Sequence, residues 1–598
     1  MSLKSNRKLR RHVRLLGIVL RTCGLETGVA AMVVAARCAL VASVLVGGTL
    51  PSRPVGGQDV EPVRNVIVLI ADGCSSEQTT LARWFKGSAL ALDEMLVGGV
   101  KTYINDSVIA DSAPMGTAFA TGVRTSDKLI SVGPKPGALR PDLEPSESLH
   151  YRPLATVLEG ARLRGKSTGL VATSRVTHAT PAAYATHVPS RTLEEDIMEQ
   201  MVYQSVDVVL GGGKDYLLPK AEQGRRADGE NLIAVLKSRG YAVVEDRPAL
   251  ESVKSGRVFG SFAMGPMAAE INRPRTRPQE PTLAEMTRKA IELLSPDPDG
   301  FFLMVEGSQI DWACHANDPA HLLSDLLAFD QAVQVALEFA KGNGHTLVLA
   351  MSDHNTGGMS IGNWSTSKSY SQMGIDALIG PLKKMNASAP EMWRRLCAPR
   401  DPNDVKPDQI DPQAVQKIVE ECWGVQLSLD EARQLLELAG RHADNPHNAF
   451  GAMICPKWTC VGFTTHGHTG GDVPLYAFGP GRPVGLLDGP EIGTWTATAL
   501  GIDLNALNRR LFVDVAAALA GAQVSVEEVE PNNLVVRIAL GDKTAELPVN
   551  KNLLVIAGQS IELEGLVVHA KDTNRTYVPL QAVQLMTGQP VSLPPIAR

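Results

Sequence analysis

The sequence predicts an α/β protein with a mostly parallel central sheet flanked by helices on both faces. Short apolar runs recur at Val66–Ile70, Gly169–Ala172, Val208–Leu210, Phe301–Val305, Thr346–Met351 and Leu475–Phe478. Amphipathic, helix-like stretches such as Thr282–Leu294 and Leu322–Ala340 lie between them. Buried runs with intervening helices imply a sheet covered on both sides. Polar residues also follow several runs directly: Asp72 after the first, Glu306 after Phe301–Val305, and Asp353 with His354 after Thr346–Met351. Ligands in such sheets bind beyond the carboxyl ends of the strands, so these residues predict one convergent acidic site.

The chain has 598 residues, and its first part reads as a leader over 1–57. Lys4 to Arg14 is basic, and Gly28 to Leu50 is small and apolar except for Arg37. Pro51 and Gly56–Gly57 follow, as in a secretory signal before a mature start. Translation from Met32 would give a compact basic region ending at Arg37 and an apolar region from Cys38 to Val46. An uncleaved anchor would bury Arg37 at high cost, which favours cleavage. No later segment approaches about 18 unbroken apolar residues.

A catalytic domain is expected over 58–522, with an insertion at about 359–465. There Pro, Asp and Asn are frequent, and helices such as Ser428–Ala439 look peripheral. After Leu519 the character changes. Val524–Leu540, Thr544–Val549 and Ser560–His569 read as β segments of a small β-rich domain at 523–598. The hydrophobic fraction of 44% permits a large core, and a net charge of -6 argues against a dedicated nucleic-acid binder. Six cysteines lie beyond the leader without a CxxC pair, so a cysteine zinc cluster is not expected. In an exported chain, Cys455 with Cys460 and Cys397 with Cys422 are candidate disulfides.

Five segments carry chemistry. In VEGSQIDWACH, Asp311 and His315 are four apart and share one face of a helical turn, and Glu306 precedes them at a strand end. Carboxylate plus imidazole is a zinc-like ligand set. In SDHNTGG, adjacent Asp353 and His354 can reach one ion only where the backbone turns irregularly. In TTHGHTGGDVPL, either both of His466 and His468 bind a metal or only one does. In ADSAPMGTAFATGVRT, a small-residue helix is predicted to begin at Ser112, whose free amides favour an anion; alone, Ser112 reads more readily as an ordinary cap. THATPAAYATHVPSR supplies His178, Thr180 and Arg191, and arginine suits bidentate contact with a phosphoryl group.

Taken together and in this order, VLIADG, DSAPMGTAFATGVRT, HATPAAYATHVPSR, VEGSQIDWACH, SDH and HGHTGGDVPL resemble the alkaline phosphatase family from about Arg64 to Leu519, most of the insertion excepted. LGGG at Leu210–Gly213 and GPMAAEINR near Ala268 look like further family features. The resemblance implies an exported phosphomonoesterase with Ser112 as nucleophile. It implies one zinc held by Asp311, His315 and His468, and a second held by Asp72, Asp353 and His354. A magnesium would be held by Asp72, Thr180 and Glu306. Arg191 would clamp two phosphate oxygens, with His178 and Trp312 beside the substrate, and His466 has no ligand role. The family's bacterial archetype carries Asp and Lys where this chain has His178 and Trp312. The first change removes a carboxylate near the magnesium and the second a positive charge near the phosphate. Family members are often dimers, so a homodimer is compatible with the resemblance.

TAELPVNKNLL and NRTYVPLQAVQLMTG resemble a stalk-like domain related to the amine oxidase N-domain, over about seventy residues. That implies attachment or spacing at a cell envelope, without a catalytic role; a simple β extension of the enzyme is the alternative. Two other functions fit the residues less well. A phosphodiesterase or phosphonate hydrolase would use the same scaffold, but Arg191 pairs with oxygens that a diester blocks. A non-catalytic envelope protein storing phosphate or metal would not need a nucleophile. A sulfatase's CxPxR-like motif is not seen.

Overall fold

The computed structural model describes residues 63–597; the leader reading lies outside the described residues. Ten strands form the central sheet. They are β1 (Asn65–Ala71), β2 (Leu96–Lys101), β3 (Ser167–Arg175), β4 (Val208–Gly212) and β5 (Ala242–Val244). Then come β6 (Val258–Ser261), β7 (Phe301–Gly307), β8 (Thr346–Met351), β9 (Val473–Phe478) and β10 (Gly485–Asp488). Their spatial order is β10-β2-β9-β8-β1-β7-β3-β4-β6-β5. All neighbours run parallel except β9, which is antiparallel to both β8 and β2. The predicted fold class is therefore the observed one.

The apolar runs lack polar positions because both sheet faces are covered. On β1, Val66, Val68 and Ile70 join one hydrophobic cluster with Met115 and Phe119. Ile67 and Leu69 join another with Leu322, Leu326 and Phe329. Alternate strand residues point to opposite faces, so a strand between two cores needs an apolar residue at every position. Five helices matter for the site: α1 (Ser76–Lys86), α2 (Ser112–Thr121), α3 (Ala179–Ala185), α4 (Gln309–His315) and α5 (Pro319–Asn343). β1, β3, β7 and β8 are adjacent and parallel, so their carboxyl ends open at one edge.

The inserted segment is less peripheral than its composition implies. Its helix Leu429–Arg441 buries Ala432, Leu435, Leu436 and Ala439. These join Trp393, Val415, Trp423 and Ile454 in the same hydrophobic cluster as Ile67 and Leu69. The polar residues there face solvent on amphipathic helices, and the apolar stripes thicken one side of the core.

The C-terminal region forms a five-stranded antiparallel sheet and part of a three-stranded one. The run Val524–Leu540 is a hairpin, with strands Gln523–Glu530 and Asn533–Leu540. Pro531 and left-handed Asn532 (φ 63) turn the chain between them. Val513–Asp514 pairs with Arg575–Val578 and ties this region to the chain before it. The candidate disulfides are not formed. All six described cysteines are free; Cys455 Sγ donates to the Asn317 carbonyl at 3.4 Å and Cys460 Sγ to the Ala377 carbonyl at 3.4 Å. Among the described residues, no helix is long and apolar enough to cross a membrane.

Helix α2 is seated by close backbone approach. A Cβ on Gly493 would lie 2.5 Å from the Gly122 nitrogen and 2.6 Å from the Ala118 carbonyl oxygen. Alanine is the better helix former, so replacement of Gly493 in a tolerant helix would stabilise. Here Gly493→Ala is expected to destabilise by about 1–3 kcal/mol through overpacking against backbone. The check is the thermal unfolding midpoint, and an unchanged or raised midpoint would contradict this packing.

Candidate active site

Helix α2 is capped by Asp111, an extended residue (φ -126) whose Oδ2 accepts from the Ala113 amide at 3.4 Å. Ser112 is thus the first helical residue, with a side chain free of the capping role the sequence allowed it. The helix is short-sided: a Cβ on Gly116 would sit 3.1 Å from Ala183 Cβ and 3.4 Å from Thr180 Cα. This lets α2 lie against α3 and brings Ser112 into the sheet edge. Ser112 Oγ is buried, 3.1 Å from His354 Nε2. The amides of the first helical turn and the helix dipole favour an anion at this end.

Asp353 and His354 leave β8 where the strand ends, and Asp72 leaves β1 beside them. His354 Nε2 is 3.5 Å from Asp72 Oδ1 and 3.4 Å from Asp353 Oδ2. Asp353 Oδ1 accepts from the Gly73 amide at 3.1 Å and the His354 amide at 3.0 Å, which fixes the carboxylate and leaves Oδ2 unpartnered. Both Asp72 oxygens are buried without a hydrogen-bond donor. Gly73 is left-handed (φ +67), and a Cβ there would lie 2.6 Å from Asp311 Oδ1 and 2.7 Å from Thr356 Oγ1. Only glycine lets the chain pass between these groups.

Asp311, His315 and His468 form a second group, with ligand atoms all within 4.8 Å of one another. His315 Nε2 lies 3.2 Å from Asp311 Oδ2 across one turn of α4, as the four-residue spacing predicts, and 3.2 Å from His468 Nε2. Each ring is turned by its other nitrogen. His315 Nδ1 meets the His466 carbonyl at 2.5 Å, and His468 Nδ1 meets the Ala110 carbonyl at 2.8 Å. The Nε2 atoms are thereby presented to a common point, the usual arrangement for imidazoles that bind metal. His466 instead places Nδ1 on the His315 carbonyl at 2.7 Å, so only His468 of the HGH pair enters the group. Burial acts against ionising Asp311, yet the hydrogen bond and charge of His315 hold its carboxyl well below the usual range. Against the same burial, the hydrogen bond that His315 donates to Asp311 lifts His315 to about 9.

The third group is Asp72, His178 and Glu306. Glu306 is fully buried at the end of β7. Its Oε2 accepts from Ser308 Oγ at 2.5 Å and Ser174 Oγ at 3.3 Å, its Oε1 has no hydrogen-bond partner, and the Thr180 hydroxyl lies beside it. Burial raises Glu306 to about 7. Burial and then the charges of Asp353, Asp311 and Glu306 push Asp72 well above the carboxylate range.

Arg191 Nη1 donates to Asp111 Oδ1 at 2.5 Å and Nη2 donates to His178 Nε2 at 2.9 Å. A guanidinium only donates, so Nε2 of His178 accepts, and the proton of the neutral ring sits on Nδ1, 4.0 Å from Glu306 Oε1. Burial, then Arg191 and Arg175, lower His178 to about 3 and keep it neutral. Although burial opposes it, Arg191 draws the Asp111 carboxyl below its usual range. Trp312 packs its ring edge-on to His178 at 5.6 Å. With His315 and His466 it lines an open cleft of 1520 Å³ that extends to Met264, Arg277 and Arg394.

Every predicted site residue thus lies at this one edge. The residues not foreseen are those that orient them. Asp111 caps α2 and holds Arg191. Thr356 Oγ1 donates to Asp311 Oδ1 at 2.6 Å and lies 3.2 Å from His354 Nδ1. Ser174 and Ser308 serve Glu306. An Asp just before a helix is a readable cap signal; the other three are common polar residues with distant partners.

The groups fit divalent cations. Carboxylate oxygens of Asp72, Asp353 and Glu306 are buried with nothing to balance them, and such charges persist only when paired or bound to metal. The imidazole-rich group suits zinc, and the oxygens of Asp72, Glu306 and Thr180, which lie beside His178, suit a harder cation such as magnesium.

The family model for alkaline phosphatase matches residues 63–502. The chain belongs to the alkaline phosphatase family. It is 35% identical over 482 residues to alkaline phosphatase 3 of Bacillus subtilis, covering 77% of this chain and 94% of that protein. The Thermus thermophilus alkaline phosphatase structure is similar with a TM-score of 0.64 at 28% identity, covering 76% of this chain and 96% of that one. Also similar, at 25% identity and a TM-score of 0.50, is an alkaline phosphatase TAB5 mutant with a histidine replaced by aspartate and magnesium bound in its M3 site; 74% of this chain and 99% of that one are covered. The family match ends at residue 502, and the C-terminal β region carries no family assignment.

The buried carboxylates have a measurable consequence for this phosphatase when stripped of metal. Folding favours protonated Glu306, whose ordinary value is 4.5 and folded value about 7. Its contribution to stability is present in full below about pH 4.5 and is lost as pH rises through about 7. The unfolding midpoint of the metal-free protein should therefore fall across that interval, and Glu306→Gln should flatten the fall. Divalent metal should raise the midpoint above the interval. A metal-free profile identical for parent and Glu306→Gln would contradict this role for Glu306.

Proposed function

We propose that this alkaline phosphatase hydrolyses phosphate monoesters through a phosphoserine at Ser112, using two zinc ions and one magnesium ion. The observation that carries the reading is the position of Ser112 Oγ: at a helix N-terminus, 3.1 Å from His354 Nε2, and beside the unbalanced carboxylates of Asp72 and Asp353. Asp311, His315 and His468 would hold one zinc, and Asp72, Asp353 and His354 the other. Asp72, Thr180 and Glu306 would hold the magnesium. Bound there, divalent cations supply the positive charge that lowers the pKa of a nearby hydroxyl and offsets negative charge on departing oxygen.

The chain's own residues do the rest. Ser112 Oγ attacks phosphorus in line with the ester oxygen, that P–O bond breaks, and the alcohol leaves with a proton. Water then attacks the phosphoserine, breaks the Oγ–P bond and releases inorganic phosphate. Asp111 and His178 each occupy one N–H of the two Arg191 η nitrogens. The remaining N–H on each is free to hold two phosphoryl oxygens. The free amides of α2 face the same charge. The cleft past Trp312 leaves room for varied alcohols, and we assign Trp312 and His178 to substrate contact. Export through the leader, a homodimer and envelope attachment through the C-terminal region belong to the same reading, supported by leader composition and family resemblance alone.

Ser112→Ala should reduce p-nitrophenyl phosphate turnover by at least about a thousandfold, with metal content unchanged in the same samples. Turnover near that of the parent would reject Ser112 as nucleophile. The parent should prefer p-nitrophenyl phosphate over bis-p-nitrophenyl phosphate; the reverse preference would favour a diesterase. No turnover in metal-replete parent would favour a binding protein.

Neutral His178 stands beside the magnesium group where the family's archetype has a carboxylate. His178→Asp should tighten magnesium binding at that group, since hard oxygen donors favour magnesium. The TAB5 mutant in which a histidine is replaced by aspartate has magnesium bound in its M3 site. Magnesium titration followed by bound-metal content tests it, and unchanged or weaker affinity would contradict the assignment.

A further inference from the structure

The loop that carries Arg191 is held from two sides. On the inner side, Val188 and Ile130 exchange backbone hydrogen bonds of 3.1 Å, and the Arg191 amide donates to the Lys128 carbonyl at 2.9 Å. On the outer side stands helix Glu194–Tyr203, which begins three residues after Arg191. Gln200 of that helix is buried and spans back to the loop: its Oε1 accepts from the His187 amide at 2.6 Å and its Nε2 donates to the His187 carbonyl at 3.2 Å.

Gln200 in turn is gripped from the C-terminal β region. Its Nε2 donates to Asn550 Oδ1 at 2.9 Å. Asn550 Nδ2 donates to Asp196 Oδ1 at 3.2 Å and Glu199 Oε2 at 3.1 Å. Positions 196, 199 and 200 lie on one face of the helix, so a single side chain reaches all three. Asn550 is left-handed (φ 69), a conformation that asparagine and glycine tolerate and most residues do not. Next to it, Lys551 Nζ lies 3.1 Å from Glu199 and 3.0 Å from Glu230. Glu199, Asp228 and Glu230 would otherwise be a candidate cation site, and Lys551 supplies the positive charge there. Beside this corner a cleft of 560 Å³ lies between Thr192–Asp196 and Glu528–Leu534.

We propose that Asn550 is a positioning residue for catalysis: through Gln200 and His187 it fixes the loop that aims Arg191, so the C-terminal β region helps set phosphate affinity. This rests on the reading of Arg191 as the phosphate clamp. It gives the region a part in the reaction cycle that an envelope stalk or a passive extension would not have. Glycine is the discriminating replacement at position 550, because it keeps the left-handed backbone and removes only the side-chain bonds.

The test uses the full-length metal-loaded enzyme and inorganic phosphate as competitive inhibitor. Asn550→Gly should raise the inhibition constant for phosphate and KM for p-nitrophenyl phosphate together, by about three- to tenfold, with a smaller change in kcat. Gln200→Met, which breaks the relay from the other side, should act in the same direction. Added to Arg191→Ala, Asn550→Gly should have no further effect on phosphate inhibition, because both act through one contact. If Asn550→Gly and Gln200→Met lower only the unfolding midpoint and leave phosphate inhibition at the parent value, the role is structural and the inference falls. Full additivity with Arg191→Ala also overturns it. If Arg191→Ala itself leaves phosphate inhibition unchanged, the clamp reading falls and the inference with it.

Discussion

The structure depends on one electrostatic constraint: three carboxylates are buried at the carboxyl edge of a sheet with no counter-charge of their own. Asp72 and Glu306 are fully buried, Asp353 likewise, and each leaves at least one oxygen without a hydrogen-bond partner. A protein tolerates such groups only if a cation completes them or a proton neutralises them. The surroundings choose the cation. Asp353 Oδ1 is locked by two amides, His315 and His468 are turned by backbone carbonyls, and Gly73 clears the space between groups. Each device costs packing freedom and yields nothing to a core without metal.

The same edge gathers the groups proposed to bind phosphate. Ser112 enters because α2 is built of small residues and packs by backbone approach at Gly116 and Gly493. Arg191 enters because Asp111 caps that helix and grips the guanidinium with the same carboxylate. One residue therefore links the helix N-terminus to the arginine, so both anion-binding features move as a unit. His178 extends the link from Arg191 toward Glu306, which couples the proposed phosphate clamp to the proposed magnesium group.

The fold class, and which polar residues gather at the sheet edge, were legible in the sequence for physical reasons. Strands buried on both faces must be apolar throughout, so β1, β7 and β8 stand out, and the first polar residue beyond each marks the edge. The i, i+4 spacing of Asp311 and His315 survives in α4 because a single helical turn needs no distant partner. What was not legible depended on tertiary partners. Amphipathic periodicity in Leu429–Arg441 shows that a face is buried but not against what, so the insertion looked peripheral. Thr356, Ser174 and Ser308 carry no local signal. From residue type and spacing alone His466 and His468 read alike; only the family resemblance separated them, and the backbone turns one toward Asp311 and the other onto a carbonyl. The candidate disulfides failed because cysteine spacing says nothing about where Cys455 and Cys460 point.

The central claim is that covalent chemistry occurs at Ser112, and trapping the phosphoenzyme tests it most directly. Metal-loaded enzyme is mixed with p-nitrophenyl phosphate, quenched in acid within the turnover time, digested, and mapped by peptide mass spectrometry. The expected result is a single phosphorylated peptide with the phosphate on Ser112, absent without substrate. Phosphate on another side chain, or rapid turnover with no phosphopeptide under conditions that preserve phosphoserine, would contradict it.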